Sequence, residues 1–206
     1  MNLNIVKEKN MKKIVLASAS PRRHDILSDL GLSFQVDPAI EYEELQPDLH
    51  TPEALVEMNA VGKAREVASR NKNALVIGVD TIGLFEREIL EKPKDEDDAV
   101  QMLTMIQGQA HEVLTAISII DTESKKELTS IERTLVEFHP IAEKDIKAYV
   151  ATEEPMGKAA SYAIQGIAAV FVKKIDGDYL NVVGLPVQLL NKMLAEFDFH
   201  LLDAVE

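Results

Sequence analysis

The apolar run 75–79, which continues to Phe85, constrains the fold more than any other segment of this sequence. A run of this kind is typical of a strand buried inside a sheet. A second apolar run, residues 14–17, leads directly to Ser20 and Pro21, residue types that favour the N-cap and the first position of a helix. Strand and helix therefore follow each other closely, and the pattern indicates an α/β fold.

The rest of the chain continues this alternation. Thr51 and Asp95 each carry a helix-start signal, and the runs 113–120 and 127–138 predict a long antiparallel pair. A final helix is predicted to open at Pro186. Because there is no internal repeat or linker, the sequence predicts one domain with a mixed, twisted central sheet and flanking helices.

Two further predictions concern the ends of the chain. The Asp-Gly-Asp sequence at residues 176–178 separates the runs 168–175 and 179–183, and such a turn between apolar runs is a strong hairpin signal. At the other end, residues 1–10 precede Met11 and the first strand, and they are expected to form a disordered extension, with an upstream start as the alternative. Residues 11–206 are expected to form the domain.

The charge of the chain excludes one class of partner. Its 206 residues carry 35 Asp and Glu against 22 Lys and Arg, for a net charge of −13. Such a charge would repel a nucleic-acid backbone, so we expect no nucleic-acid partner. A small polyanion can still bind where scattered basic side chains converge on one cleft and a metal ion shares the charge.

Nothing in the sequence indicates a membrane or an oxidising compartment. The longest charge-free stretch of the C-terminal half, residues 159–172, falls short of the roughly 20 apolar residues that span a bilayer. The chain contains no cysteine, so it has no disulfide framework. We therefore expect a cytoplasmic protein that does not enter membranes. Its oligomeric state stays open, with a homodimer as one alternative.

Residues 17–23, Ala-Ser-Ala-Ser-Pro-Arg-Arg, bring hydroxyls and guanidiniums to the predicted start of a helix. The free N–H groups and the dipole of a helix start favour an anion there, so the segment predicts phosphate recognition. The alternative is an ordinary capped helix with solvated arginines. The segment is not a Walker phosphate loop, because that glycine and lysine spacing is absent from the sequence.

Asp80 is a carboxylate within the otherwise apolar run 75–85. Burying an unpaired carboxylate is costly, so Asp80 requires a cation or hydrogen bonds. A bound Mg²⁺ ion, or a role as the base for an attacking water, would supply the reason. The alternative is a strand-end aspartate that bonds its local backbone.

Other polar residues are ambiguous when taken singly. Glu41, Glu43 and Glu44 could complete a metal site or belong to a solvated loop, and Lys63 and Lys92 are each unremarkable alone. The Gln-Gly pair at residues 165–166 could recognise a nucleobase or form a buried turn. The five histidines show no spacing typical of zinc ligands, and no function is assigned to them.

Seven short motifs, in this order along the chain, resemble those of the Maf family of nucleotide pyrophosphatases: residues 18–23, 63–64, 78–81, 91–93, 154–159, 162–166 and 181–186. The resemblance extends over about residues 13–194. It implies an elongated α/β fold shared with inosine-triphosphate pyrophosphatases, with two lobes around a cleft. It also implies a nucleoside triphosphate substrate, cleaved by water attack at the α-phosphorus with pyrophosphate leaving.

The resemblance implies a role for each candidate residue. Asp80 would be the catalytic acid-base residue and, with Glu43, a ligand of a divalent cation, Mg²⁺ or Mn²⁺. Thr81 and Gln165 would help to select the base. The residues that would hold the triphosphate are Ser20, Arg22, Arg23, Lys63 and Lys92.

Within the family, Arg22, Thr81 and Gln165 match the branch that acts on dTTP and UTP rather than on 7-methyl-GTP. A Gln amide can donate to a pyrimidine carbonyl and accept from N3–H, whereas Glu suits the donor edge of guanine. Two alternatives remain, namely the 7-methyl-GTP activity and a regulator of cell division that binds a nucleotide without turnover.

The sequence departs from the family pattern at two places. The usual pair of adjacent acids after the first helix is here Glu41-Tyr42-Glu43-Glu44, so the acid that would bind a metal stays open, with Glu43 slightly favoured over Glu41. Gly157 replaces the usual acid before Lys158, which removes one contact from that motif.

Overall fold

The computed structural model of the protein describes residues 12–43, 45 and 50–204, so the expected extension at residues 1–10 lies outside the described residues. The strands are β1 Lys13–Leu16, β2 Phe34–Val36, β3 Ala74–Phe85, β4 Glu88–Leu90, β5 Ala110–Asp121, β6 Glu127–Phe138 and β7 Val172–Asp176. The helices are α1 Pro21–Asp29, α2 Pro52–Arg70, α3 Glu96–Ile106, α4 Glu143–Val150, α5 Tyr179–Val183 and α6 Val187–Ala195, with short 3-10 helices at Ala159–Ser161, Ile167–Phe171 and Leu201–Asp203.

The strands form one seven-stranded sheet in the order β2-β1-β3-β5-β6-β7, with β4 paired to β3. β1 is parallel to β2 and to β3, and the other neighbours are antiparallel. The predicted mixed α/β architecture is confirmed. The predicted antiparallel pair is the pair of β5 and β6, and β4 follows β3 through a tight turn.

Both faces of β3 are buried, as its apolar run predicts. Leu75 and Ile77 pack in the main core, together with side chains of α1, α3, α4 and α6. Ile82 and Leu84 point to the opposite face, where they pack with α2. Because side chains alternate along a strand, Asp80 shares the α2 face and its neighbour Thr81 shares the main-core face.

The predicted helix starts are confirmed by their caps. The Thr51 side chain accepts a hydrogen bond from the N–H of Ala54 at the start of α2, and the Asp95 carboxylate accepts one from Asp98 at the start of α3. In the described part of the chain, no helix is both long enough and apolar enough to cross a membrane.

The predicted hairpin around residues 176–178 is wrong. The first run is strand only over β7, which pairs with β6, and it is a 3-10 helix over Ile167–Phe171. The second run is helix α5 rather than a strand, because the Asp178 carboxylate accepts hydrogen bonds from the N–H groups of Leu180 and Asn181. Local capping by Asp178 therefore replaces the turn that its sequence suggests.

Burial of Asn181 reinforces the helix. Its side-chain amide donates to the carbonyl of Val113 on β5 and to Thr134 Oγ1 on β6, both at 3.0 Å. A fully buried amide with two donated hydrogen bonds anchors α5 across the sheet. This tertiary contact is invisible in the local pattern of residues 179–183.

Candidate active site

A cavity of about 410 Å³ lies beyond the end of β1. It brings together nearly all of the site residues that the sequence suggested, although they come from distant parts of the chain. Those that line it are Ser20, Arg22, Arg23, Lys63, Asp80, Thr81, Lys92 and Gln165. Glu43 is described by the structure and is not part of the lining.

The sheet topology explains why Asp80 and Thr81 reach this cavity. β1 ends at Leu16, which lies opposite Ile77 of β3, and the N–H of Ala17 still donates to the Ile77 carbonyl at 2.8 Å. β3 then continues past the end of β1, while the chain after β1 turns away into the start of α1. Asp80 and Thr81 therefore face the segment that carries the serines and arginines of the first motif.

Asp80 is paired with a cation on α2. Nζ of Lys63 lies 2.7 Å from Oδ1 of Asp80, and the side-chain amide of Asn59 donates to Oδ2 at 3.3 Å. Asn59 and Lys63 are one helical turn apart, so they lie on the same face of α2. The carboxylate, in a residue that is 8% exposed, therefore has the compensation that its burial requires.

A close approach of α2 to β3 makes this pairing possible. A Cβ atom on Gly78 would lie 2.2 Å from the carbonyl oxygen of Ala60 and 2.8 Å from the Cβ of Ala64. Only glycine allows the helix to pack so near the strand at this point. Gly78 is thus the residue of the third motif that brings Lys63 within reach of Asp80.

Arg23 forms a clip between three parts of the chain. Its Nε donates to the carbonyl of Gly184, its Nη1 to Ser18 Oγ and its Nη2 to Thr81 Oγ1, each at 2.9 Å. A planar guanidinium can make such divergent bonds at once, which a lysine cannot. Arg23 therefore holds the cavity wall together in addition to lining it.

The hydroxyl of Thr81 is part of this network. Thr115 Oγ1, on the facing strand β5, donates to the carbonyl of Asn181 at 3.3 Å and lies 3.0 Å from Thr81 Oγ1. Because the only proton of Thr115 goes to that carbonyl, Thr81 donates to Thr115 and accepts from Arg23. Thr81 thus fixes the orientation of Arg23, and its hydroxyl proton is already used.

The remaining cations are not neutralised by the described part of the chain. Arg22 is half-buried and makes no hydrogen bond or ion pair there, and burial lowers the pKa of its guanidinium. Burial, and next the charge of Arg22, also lower the pKa of the nearby Lys158. Lys92 is exposed at the cavity rim and is likewise unpaired among the described residues. Clustered positive charge of this kind favours an anionic ligand.

Ser20 begins α1 without using its side chain as a cap. It occupies the N-cap position, yet its hydroxyl makes no cap hydrogen bond to the helix. The predicted N-cap position is therefore confirmed, while the free N–H groups of the helix start and the Ser20 hydroxyl both lie at the cavity wall. These are groups that bind phosphate oxygens in other proteins.

The acidic segment lies beside this site rather than inside it. Glu41 and Glu43 are exposed, and Glu44 lies outside the described residues. In the same segment, the Tyr42 hydroxyl and the N–H of Leu45 both donate to the side-chain oxygen of Asn59 at 3.0 Å. The segment is thus linked to Asp80 through the side-chain amide of Asn59, which donates to the Asp80 carboxylate.

Asp80 is the carboxylate of the cavity lining that could contribute to binding a divalent cation. Across residues 12–43, 45 and 50–204, no three His, Asp or Glu side chains are grouped as a metal site. Mg²⁺ is commonly held by one or two carboxylates together with substrate phosphates and water. Asp80 has acceptor capacity left beside Lys63 and Asn59, so it can serve as such a carboxylate.

Sequence reasoning missed Asn59 and Thr115. Asn59 was detectable in principle, because a polar residue one turn before Lys63 shares its helical face. Thr115 had no signal, since its role depends on the register that sets it opposite Thr81. Gln165, which the sequence suggested as a site residue, is exposed and lines the cavity.

Fold and site together define an α/β protein with a basic cavity for a small, multiply charged anion, built around the buried carboxylate of Asp80. The family model described as Maf-like protein matches residues 13–197, and the chain belongs to this family. The resemblance expected from the seven motifs is thereby confirmed.

Curated relatives cover nearly the whole chain. A dTTP/UTP pyrophosphatase of Pelotomaculum thermopropionicum is 46% identical over 192 residues, which is 93% of this chain and 100% of the relative. The dTTP/UTP pyrophosphatase of Dictyoglomus turgidum is 42% identical, covering 93% of this chain and 99% of the relative. A Bacillus cereus protein with the same name is 42% identical and covers 98% of both chains.

A solved structure of a nucleoside-triphosphatase, a dITP/XTP pyrophosphatase from Mycobacterium abscessus, is more distant. It matches 63% of this chain and 75% of its own, with a TM-score of 0.43 and 19% identity. This degree of similarity is too low to indicate a shared activity.

Proposed function

We propose that this protein hydrolyses dTTP and UTP to the nucleoside monophosphate and pyrophosphate. The observation that carries the proposal is the convergence of Arg22, Lys92 and Lys63 on one cavity with Asp80. A triphosphate would neutralise the charge that Arg22 and Lys92 bring to that cavity. Relatives named dTTP/UTP pyrophosphatase, 42% to 46% identical over nearly the full chain, support this substrate.

In the reaction, a water oxygen attacks the α-phosphorus while Asp80 accepts a proton from that water. The bond from the α-phosphorus to the bridging oxygen breaks, and pyrophosphate leaves with the electron pair. Lys63, 2.7 Å from the Asp80 carboxylate, fixes its orientation for this step. Arg22 and Lys92 stabilise the charge that develops on the leaving phosphates.

A divalent cation, Mg²⁺ or Mn²⁺, would be held by Asp80 together with phosphate oxygens of the substrate. When bound, it would neutralise phosphate charge and polarise the α-phosphoryl group. Glu43 is a candidate for a further contact to the bound metal through water, because its segment docks on Asn59 next to Asp80.

Gln165 is the candidate for base selection. Its side chain is exposed at the cavity, and an amide can donate to a pyrimidine carbonyl while it accepts from N3–H. Thymine and uracil share this edge, so both nucleotides fit the same contact. We expect the reaction to take place in the cytoplasm.

The test is a pyrophosphate-release assay of the purified protein on dTTP, UTP, ATP, GTP and 7-methyl-GTP, with Mg²⁺, with Mn²⁺ and with a chelator. The proposal predicts the highest kcat/KM for dTTP or UTP. A preference for 7-methyl-GTP would contradict the substrate assignment. Tight nucleotide binding without turnover would mean that the protein is a nucleotide-binding protein and not an enzyme.

A further inference from the structure

Gln165 sits at the corner of a tight turn. The N–H of Gly166 donates to the carbonyl of Ala163 at 2.9 Å, so residues 163–166 form a four-residue turn with Ile164 and Gln165 at its centre. Ile164 is buried in the main core, whereas Gln165 is exposed at the cavity. The direction of the Gln165 side chain therefore depends on how the ends of this turn are held.

Two side chains outside the cavity hold the ends of the turn. The Tyr149 hydroxyl of α4 accepts from the N–H of Ala163 at 3.2 Å and donates to Oε1 of Glu154 at 3.0 Å. The Glu154 carboxylate also accepts from the N–H of Ile167 at 3.0 Å and from that of Ala168 at 3.2 Å. One hydroxyl and one carboxylate thus fix the chain on both sides of Gln165.

The fit of the carboxylate against the turn is close. A Cβ atom on Gly166 would lie 2.3 Å from Oε2 of Glu154, so only glycine lets the carboxylate reach the N–H groups beyond the turn. Burial alone would raise the pKa of Glu154, but the hydrogen bonds from Ile167, Ala168 and Tyr149 hold the pKa below its ordinary value. The carboxylate is therefore an ionised acceptor that is matched to its donors.

We propose that Glu154 and Tyr149 are positioning residues for base recognition, which act by holding the turn 163–166 so that Gln165 faces the base. This proposal rests on the proposed function. Neither residue lines the cavity, so neither contacts the nucleotide. Their loss should weaken discrimination between bases and leave the phosphate chemistry at Asp80 largely intact.

The test uses Tyr149→Phe and Glu154→Gln, with Glu153→Gln as the matched control. Tyr149→Phe keeps the buried ring and removes only the hydroxyl, and Glu154→Gln turns an NH₂ group toward backbone donors. Glu153 is an exposed neighbour whose side chain bonds nothing in the described part of the chain. The measurements are kcat and KM for dTTP and for GTP, together with a thermal melt.

For both variants we expect KM for dTTP to rise about tenfold, with kcat changed less than about threefold. The ratio of kcat/KM for dTTP over GTP should fall by a similar factor. Glu153→Gln should match the wild type. Hydrogen exchange at the amides of Ala163, Ile167 and Ala168 should become faster in the two variants, which reports the turn directly.

An unchanged KM and base ratio in Tyr149→Phe would overturn this proposal, and so would a fall in kcat for dTTP and GTP alike at unchanged KM. If the wild type hydrolyses no triphosphate, the proposed function fails instead. In that event the Kd ratio of dTTP over GTP in the same variants decides whether the two residues position the turn for base recognition.

Discussion

Nζ of Lys63 lies 2.7 Å from Oδ1 of Asp80, and the side chains of the two residues are only 15% and 12% exposed. The pair places a carboxylate and an ammonium group, both partly desolvated, in the wall of the same cavity. At this depth the Lys63 ammonium compensates the buried carboxylate, and both groups line the cavity that a phosphate would enter. The pair therefore links the stability of β3 to the chemistry of the site.

We predict that Asp80→Asn lowers kcat for dTTP by about 10²–10⁴-fold, because the base for the attacking water is lost. The structure adds a stability effect, since Lys63 then faces an amide instead of a carboxylate. We expect Tm to fall by several degrees, corresponding to about 1–3 kcal/mol. The measurements are dTTP kinetics and a thermal melt with metal present.

The double variant Asp80→Asn, Lys63→Met is the control for this result. It should recover part of the Tm and none of the activity. Near wild-type kcat in Asp80→Asn would make Asp80 structural and would direct the search for the base to Glu41, Glu43 and Glu44.

Arg22 and Arg23 are adjacent in sequence but should respond differently to substitution by lysine. Arg23→Lys removes three directed hydrogen bonds that join Ser18, Thr81 and Gly184, so Tm should fall by several degrees, for a loss of about 2 kcal/mol. Arg22→Lys should leave Tm unchanged and lower kcat/KM about tenfold, because a bidentate phosphate contact is lost. Equal effects of both variants on Tm would contradict the clip assigned to Arg23.

The elements that carry their own start and stop signals were predictable from the sequence. β1, β3 and α2 are encoded by such local signals. Asp80 is a predictable site residue because it is charged within an apolar strand. The hairpin prediction at residues 176–178 is wrong for two reasons: Asp178 caps a helix locally instead of forming the turn, and the burial of Asn181 anchors that helix across the sheet.

The site residues divide in the same way into those with local signals and those without. Residues with unusual local chemistry were predictable from the sequence, whereas the residues that hold them in place were not. Thr115 matters only through the register of β5, which no short motif encodes. Asn59 shares a helical face with Lys63, but its contact with Asp80 depends on how α2 packs on β3. Arg23 was predicted as a phosphate ligand, and its role in holding the cavity wall became visible only with the fold.

His111 should make the protein sensitive to acid. It is buried beside Tyr162, and burial lowers its pKa from 6.5 to about 4. Well above pH 6.5 the imidazole is neutral in both the folded and the unfolded state and contributes no pH dependence. As the pH falls toward 4, the unfolded chain binds the proton first, and the folded state loses up to about 3 kcal/mol.

The measurement is the free energy of unfolding of the wild type and of His111→Gln between pH 4 and pH 8. Glutamine retains a group that can bond the Tyr162 hydroxyl but does not titrate. The difference between the two proteins should grow in favour of the variant below pH 6.5, and it isolates His111 from the carboxylates that titrate in the same range. Parallel pH profiles would contradict this account.

The position of the attacking water tests the central claim most directly. The purified protein would hydrolyse dTTP in ¹⁸O-labelled water, and the masses of the separated products would be measured by mass spectrometry. The account predicts dTMP that carries one labelled oxygen, with unlabelled pyrophosphate, because the water attacks the α-phosphorus. Labelled pyrophosphate with unlabelled dTMP, or a product mixture of dTDP and inorganic phosphate, would contradict it.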